Sequence, residues 1–438
     1  MYVKSYRPNH RVTIYRNATG FKPEDISADV ISLSTSKTYS MGAGGFQIST
    51  TFNRRFENKR YDQLLKANDR VYIELDKGDG KGLQPVMLGL VDRPSREENY
   101  ENPKRITRQV KIAGTDMGKM LLRHNCAWDI QIKDPDSIVH EGSEAYIRTV
   151  EFNGKLCGTP ADLVQRVIQN FLHNQVPWTA QFILADQLTT DDDWWSMDDS
   201  IATRTGPIWP LLKTYENHPW NTLHTDTLDD GKFHIILERT PYDTTTGKLT
   251  RATLYQLDDL DLVRASLGNC DAEMVNFLLH NVPESMFQEN PGSSLLFLGG
   301  RSVRRFNADG TDPASNQAGA PINYHGFRLH EINTEFTTWK AAPAPIPPRL
   351  GNGGADPNVD GAVKARTDAY WNWFSMNHLL ESGTIVVKGD PQIRAGIGIL
   401  RTSDNMEYLA EQVAHNYIWG GAYTTTVGVT RGQAHGRI

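Results

Sequence analysis

The chain has 438 residues, 39% of them hydrophobic, with 46 Lys+Arg against 52 Asp+Glu and a net charge of −6. That length exceeds one ordinary core, so about two to four domains are expected. A mean hydropathy of −0.50 and a pI near 6.1, with charges of both signs well mixed, describe a soluble globular chain and argue against gripping nucleic acid through many phosphates, though not against a surface past which DNA slides.

The N-terminus, MYVKSYRPNHRVTIYR, lacks the apolar centre of a signal peptide. No stretch approaches the roughly 18 apolar residues that cross a bilayer. The chain is therefore expected in a cytoplasm until something else moves it. From Arg11 to about Asp116 the pattern is β. Val30–Ser34 alternates, MGAGG supplies a glycine turn, and Phe46–Phe52 alternates again. Val71–Leu75 and Val86–Val91 read as short buried strands around the turn DKGDGKG, and Arg108–Ala113 alternates after a polar bridge. Short strands with glycine-rich turns and no long helix predict a small antiparallel barrel or sandwich.

A mixed region follows. Over Thr159–Leu172 a helix is expected, with Thr159 as cap, Pro160 in the first turn and Asp162 at the positive end. Leu163, Val164, Val167, Ile168, Phe171 and Leu172 form its apolar stripe. Ile208–Tyr215 is a shorter helix stopped by HPW, and Lys232–Glu238 is a strand. The proline- and glycine-dense 285–360 reads as a long surface excursion, much of it non-regular. A helix is expected over Ala362–Leu380, with Ala369, Tyr370, Trp373, Phe374 and Leu380 on one side.

The chain closes much as its first domain closes. Residues 70–116 and 395–432 are each a set of short apolar runs ending in an alternating Arg/Thr-rich strand that stops near Gly. The identity is thin, so this is a candidate internal repeat.

Residues with chemical potential have plainer readings. DKGDGKG at 76–82 lacks the alternating oxygen ligands of a calcium loop and reads as a hairpin turn. HEGSE at 140–144 and HEINTE at 330–335 lack the second histidine of a zinc-protease helix. The cluster Asp191, Asp192, Asp193, Trp194 and Trp195 resembles a sugar cleft or a carboxylate pair, but also reads as a polar loop leading into a buried aromatic anchor. GGRSVRRF at 299–306 reads as a solvated loop or an intersubunit salt bridge. Cys126, Cys157 and Cys270 show no metal or disulfide spacing and read as buried free thiols. The tryptophans, concentrated in the mixed region, read as anchors of domain packing or subunit contacts. No catalytic, cofactor-binding or metal-binding residue is expected, and the chain is expected not to be an enzyme.

Taken in order, four segments resemble one family. They are DISADVISLSTSKTYSMGAGGFQIST; PVMLGLVDRPSRE with VKIAGTDMGKMLL; NHPWNTLHTDTLDDGKFHIILERTPYD; and LESGTIVVKGDPQIRAGIGI with AYTTTVGVTRGQ. The resemblance is to the central baseplate hub proteins of contractile phage tails and related injection machines; 285–360 has no place on that pattern.

The resemblance implies a mainly β fold with α+β parts: two similar small antiparallel β-barrels, tail-tube-like, with a mixed α/β middle. The expected domains are 1–116 (first barrel), 117–200 (mixed), 201–240 (start of the second barrel region), 241–375 (mixed, continued) and 376–438 (closing strands of the second barrel). It further implies a homotrimeric, pseudo-six-fold ring joining a six-fold tail tube to a three-fold central spike, with a channel that DNA crosses without specific binding. Partners would be the tube and spike proteins, and possible further ones the tape measure and baseplate wedges. The place would be the virion tail baseplate, assembled in the host cytoplasm. The alternatives are a carbohydrate-binding or carbohydrate-active β protein using Asp191–Trp195, and a peripheral receptor-binding tail protein.

Overall fold

The alternation of the first 116 residues is realised as seven strands: β1 (Asn9–Tyr15), β2 (Pro23–Asp25), β3 (Val30–Thr38), β4 (Gly45–Thr51), β5 (Arg70–Asp76), β6 (Gln84–Asn102) and β7 (Arg105–Asp116). The structure is a computed structural model that describes residues 7–53, 57–102, 105–127, 151–152, 155–156, 160–188, 205–214, 216, 221–240, 254–282, 301–306, 326, 328–333, 367–368 and 370–436. Alternate residues of β1, β4, β5 and β7 point inward. Val12 and Ile14, Ile48, Val71 and Ile73, and Val110 and Ile112 are buried in one core. Full burial of each such side chain contributes roughly 1.5–3 kcal/mol before entropy is counted.

The β6–β7 hairpin is longer than expected. The polar run that reads as a bridge continues β6 to 19 residues. Asp92–Glu98 are outside the core, so no apolar alternation marks them, yet β7 pairs with β6 as far as Asn102. In the turn MGAGG, a Cβ on Gly42 would lie 2.4 Å from the Trp209 ring. The turn therefore needs a residue without a side chain where it meets the middle region.

That middle region contains β8 (Asn125–Ala127), β9 (Glu151–Phe152), β10 (Lys155–Leu156), β11 (Ile183–Leu188), β12 (Thr205–Pro207), β13 (Asn221–Thr227) and β14 (Phe233–Arg239). Residues 221–239, expected as the start of the second barrel region, form with β11 a separate three-stranded sheet, ordered β11-β14-β13. The helix Pro160–Val167 continues as a π turn, Ile168–His173, and the helix Ile208–Thr214 matches its expected span. Val164, Val167, Ile168, Phe171 and Leu172 are buried as the stripe predicts, against Trp209, Leu223, Phe233 and Ile235. Leu88 and Leu90 of β6 share this core, which fixes the middle region on the first strands.

Six more strands complete the large sheet as its second set: β15 (Leu254–Leu257), β16 (Leu262–Gly268), β20 (Glu381–Lys388), β21 (Gly398–Arg401), β22 (Met406–Ile418) and β23 (Tyr423–Ala434); β17 (Phe277–Val282), β18 (Arg301–Phe306) and β19 (Leu329–Asn333), between them in sequence, form a sheet of their own. The run GGRSVRRF is therefore not a loop: Arg301–Phe306 is strand, its backbone groups paired to β17. Within the 285–360 excursion, both described segments, β18 and β19, return to flank β17. The expected helix over Ala362–Leu380 is shorter. Its described residues 367–368 and 370–374 are helical, and the helix stops short of Leu380 because the chain tightens into a 3₁₀ turn at Asn377–Leu379, where Leu379 N–H donates back only three residues, to Met376 O. Tyr370 and Trp371 pack on Leu278. Cys270 is exposed, against the expectation of a buried thiol, because it lies just beyond the edge strand β16.

The suspected repeat extends through the whole of both strand sets. The first set is ordered β3-β4-β7-β6-β5-β1 and the second β16-β20-β23-β22-β21-β15, the same order strand for strand. Two of the irregularities coincide too. β6 bulges between Val91 and Arg93 and β22 between Ala410 and Gln412, while β3 bulges between Val30 and Ser32 and β16 between Leu262 and Arg264. One joint differs: β1 runs antiparallel to β5, whereas β15 runs parallel to β21.

The fold is mainly β with α+β parts. The two modules expected as small barrels are two strand sets with separate cores, but among the described residues neither closes on itself. β3 pairs with β22, so both sets belong to one 13-stranded sheet. Tyr417 and Tyr423 of the second set complete the first set's core.

Candidate functional site

The seam where the sets join lies beside a cluster of buried polar and charged groups. β22 uses Gln412–Ile418 to pair antiparallel with Ser32–Thr38 of β3. Tyr39 N–H donates to Glu411 O at 2.7 Å and Trp419 N–H to Ile31 O at 2.9 Å, one at each end. On β3, Leu33, Thr35 and Lys37 share one face, and the strand period carries Lys37 inward.

Lys37 Nζ is held by the Asp116 carboxylate, at the end of β7, and donates to Thr225 Oγ1 of β13 at 2.6 Å. It also stands 5.0 Å over the Phe233 ring. Asp116 accepts the N–H of Gly44 at 2.8 Å and of Gly118 at 2.9 Å. Burial raises the Asp116 pKa, and Lys37 opposes that rise. A single lysine thus ties the first set, the MGAGG turn and the middle sheet together.

The second set is tied down in parallel fashion. Arg394 reaches Asp229 and stands 3.9 Å from Asp226. Asp226 is pushed up to about 6 by burial, with Arg394 and Lys37 pulling the other way. His415, opposite Thr35 in the seam, is pushed down to about 4 by burial. Its Nδ1 lies 3.0 Å from Thr425 Oγ1 and 3.1 Å from the Tyr423 hydroxyl.

The DKGDGKG turn connects β5 and β6, as its composition predicts, and its lysines cross to the other set. Lys77 Nζ donates to Asp390 at 2.9 Å and Asp261 at 3.0 Å, and Lys81 to Gln392 at 2.9 Å. Tyr255 donates to the same Asp390 at 2.6 Å. The turn's own aspartates bond within it: Asp76 accepts the Gly78 N–H at 2.7 Å and Asp79 the Lys81 N–H at 3.1 Å.

Between Thr35, Lys37, Met87, Asp226, Arg394 and His415 lies a crevice of about 20 Å³. That holds little more than a water, whereas small-molecule sites run to roughly 300–1,000 Å³. Among the described residues no group of His, Cys, Asp or Glu could hold a metal ion. His330 and Glu331 of HEINTE lie on strand β19, not on a zinc-binding helix, and the His330 ring packs 4.2 Å from Phe374. HEGSE, Asp191–Trp195, Cys157 and the bulk of 285–360 lie outside the described residues. No described helix is long and apolar enough to cross a membrane.

Sequence reading passed over Lys37, Asp116, Asp226 and Arg394. The available signal was parity: Lys37 continues the inward register of Leu33 and Thr35, where a charge is out of place unless paired.

No protein-family model matches the chain, and no curated protein matches it. Solved structures do. The chain is similar to the tail protein from Neisseria meningitidis MC58, with a TM-score of 0.51 at 10% identity, covering 96% of each chain. It is similar also to the 43 kDa tail protein of prophage MuSo2 from Shewanella oneidensis, with a TM-score of 0.50 at 13% identity, covering 96% of this chain and 98% of that one. At such identities the likeness is one of fold: the chain has, over nearly its full length, the fold of these two tail proteins.

Proposed function

We propose that this protein is a structural component of a contractile tail, the baseplate hub. Copies close into a trimeric ring in which six strand sets surround a channel, joining a six-fold tube above to a three-fold spike below. The observation that carries this reading is the repeat: two strand sets of the same order, with two bulges in the same places, within a fold shared with two tail proteins. A chain that presents one module twice converts three-fold into near-six-fold symmetry.

The joint between the sets supports the same reading, because Lys77 and Lys81 of the first set bind Asp261, Asp390 and Gln392 across it and the crevice beside the seam holds little more than a water. In this reading the partners are the tube and spike proteins, with the tape measure and wedge proteins as further contacts. The particle is the virion baseplate, assembled in the host cytoplasm, and the chain does no chemistry of its own. A net charge of −6 suits a channel that does not retain DNA.

Negative-stain microscopy of the purified chain, paired with its mass from light scattering, tests the proposal. Hollow particles of three chains with apparent six-fold outline are expected; single, hole-free chains at every concentration would overturn it.

A further inference from the structure

The two strand sets meet once inside the chain, and the repeat leaves the same meeting half-made at two other edges. Met406–Leu409 of β22 pairs with β21; past the bulge at Glu411, Gln412–Ile418 takes β3 on the same edge. Its counterpart β6 is built alike. Leu90 and the residues before it pair with β5, the bulge falls at Asp92, and the strand runs on to Asn102. Along that last stretch the described residues offer strand pairing on one side only, from β7. The counterpart of β3 is β16, also paired on one side only, by β20. Val263, Arg264, Ala265 and Ser266 of β16 are exposed, Val263 at 59%. Among the described residues, two unpaired edges therefore stand where the repeat places the two halves of a joint. Such edges attract other chains unless they are covered.

We infer that the β16 edge of one copy pairs antiparallel with the free stretch of β6 in a second copy, repeating between chains the β3·β22 seam within each. The inference deepens the ring reading and rests on it. Superposing bulge on bulge fixes the register. Gln412–Ile418 against Thr38–Ser32 becomes Ser95 against Gly268, Glu97 against Ser266 and Asn99 against Arg264. Arg96 and Leu267, and Glu98 and Ala265, then take the places of His415 with Thr35 and Tyr417 with Leu33. Pro94 donates no N–H, so the ladder is full only beyond it.

Side chains agree with a joint made after folding. At the inner seam Tyr417 and Leu33 are buried, whereas their counterparts are Glu98 and Ala265. A polar joint keeps each free edge soluble until a partner arrives. Arg264, with no ion pair among the described residues, comes beside Asn99 and diagonal to Glu97, within reach of its carboxylate. The joint is head-to-tail, since β16 and β6 are different surfaces, and head-to-tail joints close into rings or run into filaments.

The test is a pair of cysteines, Glu97→Cys with Ser266→Cys, in a Cys270→Ser chain. The register makes 97 and 266 a non-hydrogen-bonded pair with Cα atoms about 4.5 Å apart, within the span of a disulfide. Mass is read by light scattering, folding by thermal melting, and crosslinks on non-reducing gels under mild oxidation. The expected result is a ring in which most monomer converts to dimer- and trimer-sized bands, with neither single cysteine doing so. A ring of unchanged mass without crosslinks would overturn this joint and leave the ring reading standing. A chain that folds but stays monomeric at every concentration would overturn both. Should the paired variant fail to melt cooperatively, Ser95→Cys with Gly268→Cys reads the same register; a Cβ on Gly268 meets nothing within 4 Å.

Discussion

Replacing Lys37 by Met removes the cation at the seam while keeping most of its length. Its side chain is 10% exposed and that of Asp116 only 3%. Asp116 would keep the N–H groups of Gly44 and Gly118 but lose its counter-charge. Breaking a buried pair by deleting one partner costs about 3–5 kcal/mol, because the stranded charge is uncompensated. With an unfolding entropy of about 2.1 cal/mol/K per residue over the 438 residues, 1 kcal/mol corresponds to about 1 °C, so melting should fall by about 3–5 °C at pH 8. The deficit has a pH signature. Burial already raises the Asp116 pKa, and without Lys37 it rises further. A raised carboxyl pKa favours the fold at low pH and costs it at high pH, so the deficit should shrink between pH 8 and pH 5. Differential scanning calorimetry across that range measures both effects. A loss under about 1 °C, or a deficit equal at pH 8 and pH 5, would refute the reasoning on Lys37 and Asp116.

Three further outcomes are expected. Asp226→Asn should stabilise the protein at pH 8: a folded-state pKa moved from 3.8 to about 6 costs the ionised form about 3 kcal/mol. The gain should fade as pH drops from about 6 to about 4, and melting curves of both proteins over that range would show it. His415→Gln should act in the opposite sense. The histidine sits at about 4 in place of 6.5, so the fold loses up to about 3 kcal/mol as pH falls through that window, and the variant should lose that slope in acid titrations. Gly114→Ala should destabilise by overpacking, at roughly 1–3 kcal/mol, since its Cβ would lie 2.2 Å from the Phe46 ring and 2.4 Å from Leu90 O; calorimetry should register lower melting, and an unchanged value would show that Phe46 gives way.

Strands were legible wherever one face is buried. Val30–Ser34, Phe46–Phe52 and Arg108–Ala113 alternate because their inner residues meet one core, and all but Phe52 lie within strands of the structure. The outer half of β6 was not legible. RPSREE, 93–98, faces no core, so the strand character there comes from main-chain pairing with β7, which composition does not record. The strand character of β18, RSVRRF, likewise comes with a main-chain ladder to β17 that local composition does not record. The repeat was visible in 70–116 and 395–432, but its outer members were hidden. β3 and β16 correspond only through register and a shared bulge, with Ser32 facing Arg264 in sequence and Leu33 facing Ala265. The seam was hidden for a different reason. Lys37 with Asp116, and Lys77 with Asp390, join residues far apart in the chain, and no local spacing announces them.

The most direct test of the account is a cryo-electron microscopy reconstruction of the assembled particle, read at the joints between strand sets. The account predicts six sets around one channel, joined alternately by β3·β22 within a chain and β16·β6 between chains. Copies that meet through any other surface, or a particle without a channel, would contradict it.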